Sequence, residues 1–135
     1  MIKVEIKKSF LNKTETFKLD LDFEIEEGSF TGISGQSGAG KTSLLRMIAG
    51  LEKPDSGRLA IHSGKASEKL WFDSLQKINI KTQERKVAMV FQEPALFPNM
   101  TVLENLKYAS NKDLNKIIQL TGIEDLIDRN PSSLS

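Results

Sequence analysis

The eight residues Gly35-Gln36-Ser37-Gly38-Ala39-Gly40-Lys41-Thr42 leave this chain little freedom in what it can fold into. They satisfy the pattern G-x-x-x-x-G-K-[ST], the P-loop. Its glycines admit backbone conformations closed to other residues, so that successive N–H groups can converge on one point. Phe30-Thr31-Gly32-Ile33, just upstream, reads as a short strand. Downstream, Leu44, Leu45, Ile48 and Ala49 recur at helical spacing, with Gly50 placed to end the helix and Pro54 beyond it. Strand, glycine loop and helix in that order aim the positive end of the helix at the loop. That arrangement suits a phosphate group held by residues 35–43, including Ser43 in the first helical turn. Lys41 is placed to reach β- and γ-phosphates. The Thr42 hydroxyl is placed to bind Mg²⁺, an ion that keeps most of its waters and takes few protein ligands.

Other patterns supply the rest of the architecture. Ile2, Val4 and Ile6 alternate with charged residues. Phe17, Leu19, Leu21, Phe23 and Ile25 share one face, with Lys18, Asp20, Asp22, Glu24 and Glu26 opposite. Two half-buried strands joined near Leu11-Asn12-Lys13 follow from that period of two. Leu59-Ala60-Ile61 and Leu70-Trp71-Phe72 are further β segments, separated by Gly64 and polar residues, and Trp71 with Phe72 is expected to pack a small sheet. Val87-Ala88-Met89-Val90-Phe91 is an unbroken apolar run, as in a parallel strand buried on both faces, and Gln92-Glu93-Pro94 stops it. Thr101-Val102-Leu103-Glu104 fits a capping box opening a helix to about Ala109. Leu114, Ile117 and Ile118 mark another helix, closed by Gly122.

At 135 residues the chain is one domain or part of a larger one. Nineteen Lys+Arg against eighteen Asp+Glu leave a net charge of +1, which argues against a nucleic-acid partner. The Lys residues between Lys65 and Lys86 are interleaved with Glu68, Asp73 and Glu84 and read as a solvated face. The absence of cysteine excludes a disulfide framework and thiolate zinc, and fits a reducing compartment. His62 is expected at the surface. Glu124, Asp125 and Asp128 lack a His or Cys partner and are expected to face solvent. The charged N-terminus has no signal-peptide core, and nowhere do about 18 apolar residues run together. A cytoplasmic chain is expected, with any membrane role exercised through a partner.

Beyond the bare phosphate motif, the stretch Gly32 to Leu51 and the following Pro54-Asp55-Ser56-Gly57 resemble the ATP-binding cassette (ABC) ATPases. So does Val90-Phe91-Gln92-Glu93-Pro94-Ala95-Leu96-Phe97-Pro98-Asn99-Met100-Thr101-Val102-Leu103-Glu104-Asn105-Leu106, which is similar to the family's Q-loop and the segment facing its membrane subunit. Ile6-Lys7-Lys8-Ser9-Phe10 lies where the family stacks an aromatic on adenine. Pro131-Ser132-Ser133-Leu134-Ser135 looks like the run into the family's signature motif.

The resemblance implies an α/β fold, a P-loop core with an incomplete parallel sheet beside an antiparallel β subdomain, and one incomplete ATP-binding domain over residues 1–135. It implies ATP and Mg²⁺ as ligands. Gly35 to Ser43 would bind the nucleotide, Phe10 the adenine, and Thr42 and Gln92 the metal, with Lys41 and Gln92 as the catalytic residues. It also implies transmembrane permease subunits, a second ATP-binding domain as a homodimer partner, and a peripheral position on the inner face of the cell membrane.

The family places the rest of the signature, the Walker B strand and the switch His after Ser135. Residues 1–135 alone are therefore expected to bind nucleotide without hydrolysing it. The family also sets the Walker B and switch strands between the strands at Phe30 and Val87. Within the family, Leu96 to Val102 and Trp71-Phe72-Asp73 look like import systems for molybdate and similar anions or small solutes. Two other readings stay open: a nucleotide-binding module that never hydrolyses, and a soluble ABC protein of translation or repair.

Overall fold

The alternating N-terminal segments form a long hairpin in the computed structural model of the chain, which describes residues 1–11, 16–62, 68–93, 95–110 and 112–134. Strands β1 (Ile2–Leu11) and β2 (Thr16–Ile25) pair antiparallel, Ile2 opposite Ile25 and Phe10 opposite Phe17. The expected joint at Asn12-Lys13 lies outside the described residues, as do Gly64, Lys65, Pro94 and Ser135. β3 (Ser56–Ile61) pairs with the other edge of β1. β4 (Lys69–Asp73) and β5 (Ile78–Asn79) then extend the sheet, giving five strands in the order β2-β1-β3-β4-β5. Every pairing is antiparallel.

The chain divides into two compact units, Met1–Met89 and Val90–Ser135. In the first, helix α1 (Lys41–Ala49) lays Leu44 and Met47 against Val4, Ile6, Leu59, Trp71 and Phe72. Ile2, Leu19, Leu21 and Phe23, the apolar faces of the hairpin, pack beside them. Each such side chain removed from water contributes roughly 1.5–3 kcal/mol, so the inward faces of β1 and α1 hold this unit together. Gly50 ends α1 as the sequence requires: at φ 81° its N–H returns to the carbonyls of Arg46 and Met47.

Arg85 is buried at 2% exposure among these elements, and no carboxylate pairs with it among the described residues. Carbonyls take its charge instead. Nη1 donates to Met47 O (2.7 Å) and Ile48 O (3.0 Å), Nε to Ile80 O (2.9 Å) and Nη2 to Asn79 Oδ1 (3.2 Å). The guanidinium also lies 5.8 Å from the centroid of the Trp71 ring, within reach of a cation–π attraction. Burial pulls its pKa below the usual arginine range, but a guanidinium remains a cation at neutral pH. A cation at the last turn of α1 satisfies carbonyls that the helix itself leaves open and complements its dipole. Gly50 makes room for it, since a Cβ there would stand 2.7 Å from Arg85 Nε.

In the second unit, the box at Thr101 forms as the sequence predicts. The Thr101 hydroxyl accepts from Glu104 N–H and the Glu104 carboxylate from Thr101 N–H, opening α2 (Val102–Ala109). Asn105 holds the preceding loop through Phe97 N–H (2.8 Å) and the carbonyls of Phe97, Met100 and Thr101. Helix α3 (Leu114–Thr121) ends at Gly122, again as expected. Glu124, Asp125 and Asp128 are exposed, and no metal-binding cluster occurs among the described residues.

Two expected strands do not form. Phe30–Ile33 and Val87–Phe91 have no ladder, and no parallel pairing exists among the described residues, so the incomplete parallel sheet is absent here. Val87 packs on the core, but Phe30 is fully exposed and Val90 is 95% exposed. An apolar run becomes a buried parallel strand only when neighbours take its N–H and C=O groups on both edges, and neither segment has such neighbours among the described residues.

Two outcomes follow from this packing. Amides of Phe30–Ile33 and Val87–Phe91 exchange with solvent far faster than those of Val4, Ile6 and Phe72, as hydrogen-exchange mass spectrometry will show. Arg85→Met destabilises the chain by about 2–4 kcal/mol by orphaning buried carbonyls, and Arg85→Lys recovers less than half of that, because an ammonium lacks the guanidinium fork. Urea unfolding measures both variants.

Candidate functional site

The glycine loop before α1 remains open. Residues 34–38 are exposed, Ala39 N–H bonds Gln36 O (3.2 Å), and the chain enters the helix through Gly40. Gly38 and Gly40 stand at φ 81° and 84°, the left-handed region that glycine enters without penalty. No side chain caps α1 at Gly40, and its first turn carries no acid. The first intrahelical bond runs from Leu44 N–H to Gly40 O (2.9 Å), which leaves the N–H groups of Lys41, Thr42 and Ser43 ahead of it. An uncapped helix start behind a glycine loop is a fitting receptor for an anion.

Lys41 folds back over this loop. Its Nζ donates to Gly35 O (2.8 Å) and Gln36 O (2.7 Å), so one of its three donors stays free and its charge stands over the cradle. Thr42 is exposed on the first turn, and its hydroxyl has no hydrogen-bond partner among the described residues. One hydroxyl is too little for an all-protein cation cage, but it suits Mg²⁺, which draws its other ligands from phosphate oxygens and water. The donor set present here therefore fits a magnesium-bound polyphosphate.

Beside the loop lies a cavity of about 220 Å³ lined by Phe10, Phe17, Gly38, Gly40 and Ser43. The Phe10 and Phe17 rings are stacked with centroids 6.0 Å apart and planes at 27°. The hairpin register makes them cross-strand partners. Phe10, Gly38, Gly40 and Ser43 thus meet at one cavity, with Lys41 over the adjoining cradle. Gln92 belongs to the second unit, at an exposed bend. His62 is half-buried and faces Glu68, its Nε2 3.1 Å from Glu68 Oε1, so it takes no part in this cavity.

Phe17 was legible only as one apolar position of an alternating strand. Its place opposite Phe10 follows only from the register of the hairpin. Leu19, on the same face, abuts the loop: a Cβ at Gly40 would stand 3.2 Å from Leu19 Cδ1 and 3.5 Å from Phe17 Cε1.

Comparison with known proteins bears on the family and the fold. Residues 19–135 match a family described as ABC transporter. The molybdenum import ATP-binding protein ModC of Methylococcus capsulatus is 39% identical over 126 residues, covering 88% of this chain and 33% of its own. A probable sulfate/thiosulfate import ATP-binding protein CysA of Chlorella vulgaris is 37% identical over 125 residues, covering 85% of this chain and 48% of its own. The chain thus spans about a third to a half of the length of these curated relatives. A dimeric ATP-binding cassette solved in a post-hydrolysis state bound to ADP and Pi aligns with TM-score 0.71 and 26% identity, over 100% of this chain and 63% of that one.

The two loop glycines separate conformational strain from crowding. Gly38 has open space around a Cβ, whereas Gly40 meets Leu19 and Phe17. Gly38→Ala costs about 1 kcal/mol for its left-handed backbone, and Gly40→Ala costs more because the hairpin must also give way. Thermal unfolding of the two variants gives that order.

Proposed function

The chain belongs to the ABC transporter family, and from that premise we propose that it is the nucleotide-binding part of an import transporter's ATP-binding subunit. The observation that carries this reading is the uncapped start of α1 behind its open glycine loop, with the Lys41 ammonium standing over it. No helix is long and apolar enough to cross a membrane among the described residues, which fits a subunit that works through membrane-embedded partners.

The residues divide the work. The N–H groups of Lys41, Thr42 and Ser43 would face the phosphates, and Lys41 would exchange its bonds to the Gly35 and Gln36 carbonyls for phosphate oxygens. That exchange gives up neutral acceptors for charged ones, and hydrogen bonds to ionised acceptors are roughly twice as strong as neutral ones. Thr42 offers its hydroxyl to Mg²⁺, and Gln92 is the family's counterpart residue for the metal and the attacking water. Phe10 presents its ring to the adenine. When bound, ATP supplies the phosphoanhydride whose cleavage releases the free energy that a transporter spends.

Permease subunits, a second copy of the domain and an anionic cargo of the molybdate or sulfate kind belong to this proposal. The names of the relatives support the cargo. A second support is an apolar cavity of about 860 Å³ in the second unit, lined by residues including Leu96, Phe97, Val102, Leu106 and Pro131, which suits a helix from a membrane subunit. Residues 1–135 form part of a longer ATP-binding domain in this reading.

Lys41→Ala tests its centre. Removing a charge-assisted phosphate contact weakens Mg-ATP about tenfold to a hundredfold. Calorimetry giving equal affinities for the two proteins overturns the assignment.

A further inference from the structure

β1 and β3 stop pairing at Lys7 and Ser56, yet β1 continues to Leu11 and carries Phe10. Continuing the register by two residues would set Pro54 opposite Ser9. Proline has no N–H and cannot carry a ladder onward. Asp55 takes over instead. Its own N–H bonds Lys7 O (2.9 Å), and its carboxylate accepts the Ser9 N–H at Oδ2 (2.7 Å). Lys8 Nζ reaches the same carboxylate at Oδ1 (3.1 Å) and the Lys53 carbonyl (2.9 Å). A side chain thus stands in for a strand on the free edge of β1, one residue before the ring that lines the cavity beside the glycine loop.

We infer that Asp55 is a positioning residue for nucleotide recognition, holding the end of β1 so that Phe10 and Phe17 together form a platform for a purine base. The inference rests on the nucleotide-binding reading above. It adds to that reading a separation of tasks, with base recognition set by Asp55 through β1 and phosphate recognition set by the loop and Lys41.

Two features indicate which bond matters. The Asp55 side chain is 48% exposed, so its attraction to Lys8 is screened and weak. The bond to Ser9 fixes backbone, and without it that N–H faces water while β2 alone pairs the end of β1, from the opposite edge. The ionised carboxylate is favoured first by the Ser9 N–H and then by Lys8, which hold its pKa below the usual aspartate range. A group with a lowered pKa contributes its stabilisation above the ordinary carboxylate pKa and loses it as pH falls through the lowered one. At neutral pH the tie is therefore fully made.

Inorganic tripolyphosphate, which carries the phosphates without the base, separates the two tasks. Calorimetry on the full chain should show Asp55→Ala weakening Mg-ATP about five- to tenfold, the scale of a lost aromatic contact, with tripolyphosphate changed less than about twofold. Asp55→Asn, which keeps an acceptor for Ser9, should stay within about twofold of the unmutated protein for both ligands. In a Phe10→Ala background, Asp55→Ala should cost no further ATP affinity. Asp55→Val, similar in shape and lacking the acceptor, carries the same comparison if the alanine variant does not fold. Equal losses for ATP and tripolyphosphate, no loss at all, or an undiminished ATP loss in the Phe10→Ala background overturns the role of Asp55 and leaves the phosphate site standing. Failure of the unmutated chain to bind either ligand overturns the nucleotide reading itself, and the platform with it.

Discussion

The guanidinium of Arg85 is the fastening on which the first unit depends. It brings the last turn of α1 and the β4–β5 region to one point, and does so mainly with carbonyls rather than a carboxylate. A buried ion pair would need two charges stripped of water, whereas here one cation is solvated by dipoles that also needed partners. Arg85 thereby anchors the end of α1 remote from the glycine loop. The apolar face of the same helix, Leu44 and Met47, holds its middle on the sheet. With end and middle fixed, the start of α1 can stay uncapped and open for an anion.

The site is assembled from two independent supports. The cradle of Gly35 to Ser43 is local in sequence, and its geometry follows from glycine conformations and the helix start. The aromatic side comes from the hairpin, where cross-strand pairing brings Phe10 to Phe17 and sets both beside Gly40. These supports meet at Gly40, where a side chain would press on Leu19 and touch Phe17. The proposed phosphate and base sites thus rest on different elements that meet beside Gly40.

Much of the fold was legible in the residues. The bounds of α1, α2 and α3 follow local signals: Gly50 and Gly122 in left-handed conformations, and the reciprocal Thr101–Glu104 bonds. Such signals act within one turn and require nothing distant. The alternation of β1 and β2 was equally readable, because one buried face forces a period of two. The apolar runs at Phe30 and Val87 were misleading. Hydrophobicity says that a segment can be covered, while a parallel strand needs partners far away in the chain, and neither segment finds one among the described residues.

The sequence by itself therefore determined the glycine loop, the helix ends and the inward faces of the hairpin, since each is written in neighbouring residues and short-range sterics. It also carried the resemblance that identifies the family. Tertiary structure alone decided that Phe17 joins Phe10, that Asp55 completes the edge of β1 and that Arg85 closes α1 from 38 residues beyond Met47. Those contacts join residues that no local pattern relates, and they exist only because chain folding brings ring to ring and donor to acceptor across the fold.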